Sequence, residues 1–388
     1  MADDQRDDRG DSADSEVCAM LKTKAAVLRE AGPDKWWGIE EIELDEPGTG
    51  EVLVRFEAAG LCHSDDHVRA GDSPVRLPLV GGHEGAGVVE RVGPGVTRVA
   101  EGDHIVCSFI PVCGKCRYCS TGRQNLCDAG KNAGSGLMPD GTFRFHSADD
   151  DLGGMCVLGT FSERAVLHET SCVRYEPDIA PEVAALVGCG VTTGWGSAVY
   201  AAEVRAGQTV VIFGIGGVGI NAVQGARYAG AQNVVAIDPV AFKLEMARKL
   251  GATHTFEDPA SAKEFLIDAT RGQLADHAIL TVGFMTTPVV LQAAELVGKD
   301  GKVTITGVGK YELGIPGSMM TLWQKRFRGA LFGGANPLYD IPRLLDLYRA
   351  GQLKLDELIT HRYRLDEVND GYRDMLAGKN IRGVIIHV

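Results

Sequence analysis

The stretch 209-TVVIFGIGGVGINAV-223 reads as a strand that runs directly into a glycine-rich turn and then a helix. Residues 209–213 are apolar and rich in β-branched side chains, the composition of a short strand covered on both faces. Gly214, Gly216 and Gly219 then fit G-x-G-x-x-G, with Gly217 inside the same turn. The three pattern positions need a residue without Cβ, for a tight turn, for close approach of backbone to a pyrophosphate, and for packing of helix on strand. The helix start that follows offers free N–H groups and positive potential to a phosphate. A second apolar strand, 233-NVVAI-237, ends at Asp238, about 20 residues further on, where a carboxylate accepts from ribose hydroxyls and repels a 2′-phosphate. The pattern predicts a dinucleotide site that selects NAD over NADP. The plainer reading is a tight turn in a chain that carries 50 glycines.

Downstream of this turn, apolar strands alternate with helical patterns. A helix is expected after Gly219, another over 241–251, an apolar strand at 278–282, a helix over 288–297, a turn at Lys299–Asp300–Gly301 and a strand at 302–306. Alternation of this kind predicts a parallel sheet with right-handed crossovers. Upstream, 24–106 holds short strands with turn punctuation, at 24–28, 51–59, 86–92 and 104–109, and reads as an all-β, barrel-like segment. After 331-LFGG-334, Ile341, Leu344, Leu345 and Tyr348 mark one face of a helix; a further helix over 366–378 precedes a strand at 383–388. A chain of 388 residues exceeds what one core usually serves, so two domains are expected.

The formal charge of −13, with no Lys/Arg run, argues against nucleic acid or an anionic membrane as partner. The longest apolar stretch, 209–223, is too short and too broken by glycine for a membrane helix. Residues 1–16 lack the basic and apolar parts of a signal peptide and read as a disordered acidic lead.

Ten cysteines in a chain of this length, clustered at ligand spacing, point to metal thiolates in a reducing cytoplasm and not to a disulfide framework. Cys113, Cys116, Cys119 and Cys127 form C-x₂-C-x₂-C-x₇-C, which predicts a closed, structural tetrahedral zinc site. An iron–sulfur cluster is the alternative, although its bacterial run has a closer fourth cysteine followed by proline. Cys62, His83 and Cys189 come from three distant segments, the pattern of a three-ligand site with an open fourth position. The alternative is two buried thiols and a satisfied core histidine. Glu84 is either a further group at that metal or an exposed loop carboxylate. A soft metal with an open position beside a dinucleotide site suggests metal-assisted hydride transfer.

These residues also carry a family resemblance. The segments 62-CHSDDH-67, 81-GGHEGAGVVERVGPGV-96, 113-CGKCRYCSTGRQNLC-127, 189-CGVTTGWG-196, 214-GIGGVG-219 and 382-RG-383 resemble the zinc-dependent medium-chain alcohol dehydrogenases, from about Lys22 to Val388. The resemblance implies an α/β protein with a GroES-like β-barrel catalytic domain over 22–190 and 332–388. A Rossmann domain with a doubly wound parallel sheet is implied over 191–331, with the acidic lead over 1–21. It implies two zinc ions per chain, NAD, a small-molecule alcohol or aldehyde substrate, and a homodimer or homotetramer. By position, Cys62, His83 and Cys189 would hold catalytic zinc with Glu84 behind it, and Asp65 would hydrogen-bond His83. Ser64 and His67 would pass the alcohol's proton outward through the nicotinamide ribose, with His67 as the member exposed to bulk. Thr193 would approach the nicotinamide, Lys243 and Arg382 the adenosine ribose and pyrophosphate, while Phe109 and Val308 would line the alcohol pocket, Val308 also facing the cofactor. His63 stands where many members place an arginine on the pyrophosphate. The stretch 140–164 resembles that of a nicotinoprotein subgroup, which keeps its NAD and re-oxidises it in place with an external acceptor. A thiol-dependent formaldehyde dehydrogenase is a second enzyme reading, and a non-catalytic NAD-binding protein is a reading from another class.

Overall fold

The computed structural model describes residues 20–309 and 312–387. The acidic lead lies outside the described residues up to residue 19, and Leu21, assigned to it, already opens the first strand.

Six parallel strands form one sheet: β11 (Thr209–Phe213), β12 (Asn233–Ile237), β13 (His254–Phe256), β14 (Ala275–Leu280), β15 (Val297–Ile305) and β16 (Arg326–Gly329), in the order β13-β12-β11-β14-β15-β16. Every residue of β11 is buried, as its unbroken apolar run requires. Strand order reverses between β11 and β14, and the crevice at such a switch point is where a dinucleotide binds in doubly wound sheets. The helix after the glycine turn begins at Gly217, earlier than periodicity suggests. Glycine permits this: a Cβ on Gly219 would stand 1.9 Å from the Gly214 carbonyl oxygen, so only a bare backbone lets the first helical turn seat against the strand end. The expected turn at 299–301 is instead absorbed into β15, at a cost in regularity. Asp300 takes φ 59°, and the register with β14 shifts between Ala275 and His277.

The strands upstream do not build a single barrel. β1 (Leu21–Leu28), β2 (Gly38–Leu44) and β4 (Leu79–Val80) close a five-stranded barrel with β7 (Phe145–His146) and β8 (Asp151–Gly154). β3 (Glu51–Gly60), β5 (Glu84–Val92) and β6 (His104–Cys107) join a separate sheet with β9 (Arg164–His168), β10 (Cys172–Arg174), β17 (Ile359–Tyr363) and β18 (Arg382–Ile386). The stretch 140–164 therefore supplies barrel wall. Its Arg144 grips Glu51 with two hydrogen bonds of 2.7 and 2.8 Å, a buried, bidentate pair that ties this segment to the start of β3.

Ten-residue β3 has room for two neighbours along one edge: β9 pairs residues Glu51 to Arg55, and the C-terminal β18 pairs Ala58 to Gly60. The chain end thus returns to the first sheet. The helix Pro337–Arg349 buries Ile341, Leu344 and Leu345, the apolar face its spacing announced.

Candidate active site

The four cysteines of the 113–127 lobe converge. Cys113 Sγ lies 4.0 Å from Cys119 Sγ, and Cys116 Sγ lies 3.9 Å from Cys127 Sγ. A tetrahedron of sulfurs at roughly 2.3 Å from zinc has edges of about 3.8 Å, so the donor set fits zinc without rearrangement. Backbone amides point at the sulfurs, with Cys116 N–H on Cys113 Sγ at 3.3 Å and Cys119 N–H on Cys116 Sγ at 3.5 Å. The Cys119 amide, with further backbone donation at Asp128, brings Cys116 down to about 6, while burial pushes Cys119 up to about 12.

The second cluster is assembled by the sheet. β3 and β5 are antiparallel with Gly60 opposite Glu84, so the chain leaving β3 carries Cys62 to the residues that open β5, His83 and Glu84. Cys189 arrives at the start of the helix Gly190–Gly196. The ligand atoms of Cys62, His83, Glu84 and Cys189 all lie within 4.8 Å of one another. Asp65, fully buried, accepts from the Gly82 amide at 3.0 Å and from His83 Nδ1 at 3.2 Å. That bond places the His83 proton on Nδ1 and leaves Nε2 as the ligating nitrogen. Hydrogen bonding from Cys189 holds Cys62 well below the usual thiol value, and the same bond pushes Cys189 up. Burial opposes a charge on His83, yet Asp65, Cys189 and Cys62 raise it well above its ordinary value. Donors that draw a proton onto a fully buried imidazole form a seat for a cation, and the S₂N set with a carboxylate suits zinc.

Glu84 faces away from bulk water, and among the described residues its Oε1 has no hydrogen-bond partner. Burial pushes it up to about 7 despite the Arg382 guanidinium. Arg382, also buried, donates from Nη2 to Glu84 Oε2 and, at 3.1 Å, to the Leu61 carbonyl. Its stem crosses the glycine turn so closely that a Cβ on Gly217 would meet Arg382 Cδ at 2.4 Å. One arginine therefore spans the metal cluster and the dinucleotide turn, whereas the sequence placed it on the cofactor alone.

Both features open into one cavity of about 450 Å³. Cys62, His63, Ser64, His67, Glu84, Phe109, Cys189, Thr193, Gly214, Gly216, Gly217, Asp238, Lys243, Val308 and Arg382 line it. His83 lies behind its wall, and Gly219 is withdrawn beneath the turn. Among the described residues, a Cβ on Gly216 would meet nothing within 4 Å, which leaves the turn open to a phosphate, and the buried Thr193 Oγ1 has no partner. At the turn, the Ile215 amide bonds Asp238 Oδ2 at 2.7 Å and the Val240 amide bonds Oδ1 at 2.9 Å. The carboxylate is thereby oriented, with lone pairs left for a ribose. These are the features a dinucleotide requires.

Residues 48–177 match the alcohol dehydrogenase GroES-like domain, and residues 217–350 match the zinc-binding dehydrogenase domain. The NDMA-dependent alcohol dehydrogenase of Amycolatopsis methanolica is 58% identical over 370 residues, covering 95% of this chain and 99% of that protein. The chain belongs to the zinc-dependent medium-chain alcohol dehydrogenases. Among solved structures, the alcohol dehydrogenase zinc-binding domain protein of Burkholderia ambifaria superposes with a TM-score of 0.87 at 32% identity, covering 95% of this chain and 99% of that one. The benzyl alcohol dehydrogenase of Acinetobacter calcoaceticus does so with a TM-score of 0.86 at 30% identity, covering 95% and 100%. This alcohol dehydrogenase is therefore an oxidoreductase of the zinc and NAD class, with a GroES-like part and a Rossmann part.

One expectation is corrected within this alcohol dehydrogenase. His67 is 5% exposed and does not reach bulk water: the helix His63–Ala70 turns it inward, between Gly283 and Asp72. His63 is kept below its ordinary value by burial and packs on Gly283 at the cofactor side. None of residues 140–164 lines the cavity. The sequence reading missed Thr281, Val282 and Gly283 after β14, and Leu331 and Phe332 on the opposite wall. The 331-LFGG-334 motif was the only available signal for the last two.

Proposed function

We propose that this enzyme oxidises a small apolar or aromatic alcohol to its aldehyde or ketone, with Cys62, His83 and Cys189 holding a catalytic zinc and Cys113, Cys116, Cys119 and Cys127 a structural one. The observation that carries the reading is that a cluster of four convergent metal donors, through Cys62, Glu84 and Cys189, and a G-x-G-x-x-G turn open into one cavity. Bound zinc would supply Lewis acidity to the alcohol oxygen, and NAD would accept the hydride. Asp65 fixes the His83 tautomer, and Glu84 with Arg382 backs the donor set. Ser64 Oγ, 3.6 Å from Cys62 Sγ, stands beside the reacting oxygen's place and starts the proton toward His67. Phe109 and Phe332 meet edge to face at 5.1 Å and, with Leu331 and Val308, wall the substrate end with apolar surface. Among the described residues, the cationic ones of the lining are Lys243, beyond His63, and Arg382, between Glu84 and the glycine turn. Zinc analysis with benzyl alcohol as test substrate checks the reading. Fewer than two zinc ions per chain, or no turnover, would remove it.

NAD retention with an external acceptor is supported by the relative named NDMA-dependent. With His63 in place of an arginine, retention would come from enclosing walls rather than added charge. Denatured, dialysed protein should then release near-stoichiometric NAD, and oxidation should run on an added acceptor without added NAD. Protein empty of dinucleotide would place it among the cofactor-exchanging enzymes. A homo-oligomer would pair through the open edge of β16 and the helix Gly317–Trp323, where Met320, Leu322 and Trp323 are exposed. The division at 190/191 and 331/332, and a cytoplasmic location that keeps these thiols reduced, complete the proposal.

A further inference from the structure

We propose that Asp72 is the outer end of the proton path, taking the alcohol's proton from His67 and releasing it to water. This rests on the relay reading of Ser64 and His67 and extends it by one residue. The inward-turned His67 is only 5% exposed. Its Nε2 faces the cleft, 2.8 Å from the Gly283 carbonyl, and its Nδ1 faces outward, 3.2 Å from Asp72 Oδ2. The Asp72 side chain is 42% exposed.

The chain is shaped to make this contact. Gly71 ends the helix His63–Ala70 at φ 88°, a left-handed cap that glycine adopts without strain. The Asp72 and Ser73 amides then both bond the His67 carbonyl, at 2.8 and 3.1 Å, folding the carboxylate back over the ring it follows. Among the described residues, His67 is the side chain that bonds the Asp72 carboxylate. Asp66 on the same helix is held by Arg69 at 2.8 Å, and the ring's other neighbours are His63 and Phe284, at centroid distances of 6.2 and 5.7 Å. Lys243 lines the cavity beyond His63.

A carbonyl and a carboxylate are both acceptors, so the ring satisfies both neighbours only with a proton on each nitrogen. That is the form it takes after accepting the alcohol's proton. A proton arriving on Nε2 lets the Nδ1 proton pass to Asp72 Oδ2, and the carboxylic acid then gives it to water. The hydride leaves separately, with its electron pair, for the nicotinamide, so the relay moves protons only.

The test uses holoenzyme in single turnovers, with reduction of bound NAD by benzyl alcohol followed by nicotinamide absorbance against pH, with and without added imidazole. Asp72→Asn should be about tenfold slower at about pH 6 and within about twofold of wild type at about pH 9, where hydroxide takes the proton. Imidazole and Asp72→Glu should each restore the rate, with NAD content and thermal midpoint unchanged. A rate lowered equally at all pH values without rescue by imidazole would make Asp72 a mere prop for His67 and overturn the proposal. An Asp72→Asn profile that follows wild type while His67→Gln is slowed at low pH would overturn it too, leaving the relay intact. A His67→Gln profile identical to wild type would overturn the relay itself.

Discussion

The two cysteine clusters use the same chemistry and are built in opposite ways. The 113–127 lobe takes all four sulfurs from one short segment, and its own backbone amides point at them. No residue of its helix Arg117–Ser120 is buried. The cleft cluster takes its donors from the end of β3, the start of β5 and the head of the helix Gly190–Gly196, all largely buried, and depends on the Gly60–Glu84 register to bring them together. Local amides bring Cys116 down in the first; in the second, the hydrogen bond between the thiols holds Cys62 down and pushes Cys189 up, and Asp65 and the thiols raise His83 against its burial. A closed site can be written into one loop because it needs only itself. An open site must face a cavity, and its donors are therefore distributed over the walls that make the cavity.

If this contrast holds, damage to the clusters should separate. Cys62→Ser should lower turnover by about 10³-fold or more while moving the thermal midpoint by no more than about 3 °C, since the fold exists without that ligand. Parallel activity and calorimetric measurements check it, and a collapse of stability would break the contrast. Cys113→Ser should do the reverse, costing about 3 kcal/mol or roughly 5 °C in midpoint, with turnover per folded molecule within about twofold. A tenfold loss of turnover in folded protein would show that the lobe reaches the cleft.

Asp65→Asn sharpens the cleft half. The amide keeps an acceptor for His83 Nδ1 and the Gly82 amide but removes the charge, so zinc affinity at the cleft should fall about 10- to 100-fold, with the lobe zinc retained. Competition with a chelator, read by elemental analysis, resolves the two metals.

The smallest effect belongs to a histidine in neither cluster. Burial opposes charge on His146, but hydrogen bonds to Asp45 and Asp151 raise it above its ordinary value. A raised value means stabilisation that is complete below the unfolded value near about 6.5 and lost as pH rises through the folded one. The wild-type midpoint should therefore fall relative to His146→Gln between about pH 6 and about pH 8, by an amount worth no more than about 1 kcal/mol, with activity unchanged. Activity that follows the midpoint would couple the barrel insert to the cleft.

Spacing alone made the lobe, the dinucleotide turn and the parallel strands legible, because each is set by residues within one or two elements: four sulfurs in 113–127, bare backbone at Gly214 and Gly219, unbroken apolar runs at β11 and β12. The cleft donors Cys62, His83 and Cys189 could be grouped as a three-ligand set, but spacing left two buried thiols and a core histidine as the alternative, and the resemblance chose between them. Their meeting depends on strand register, which sequence separation does not encode. The two-residue strands β4 and β7, and the role of 140–164 as barrel wall, were illegible because two residues carry no period. The inward turn of His67, the Arg382 bridge from Glu84 to Gly217 and the seat of Asp72 over the ring were decided by tertiary structure alone. Those contacts join groups from different elements, and whether a side chain faces water or a neighbouring wall is fixed only when the walls are in place.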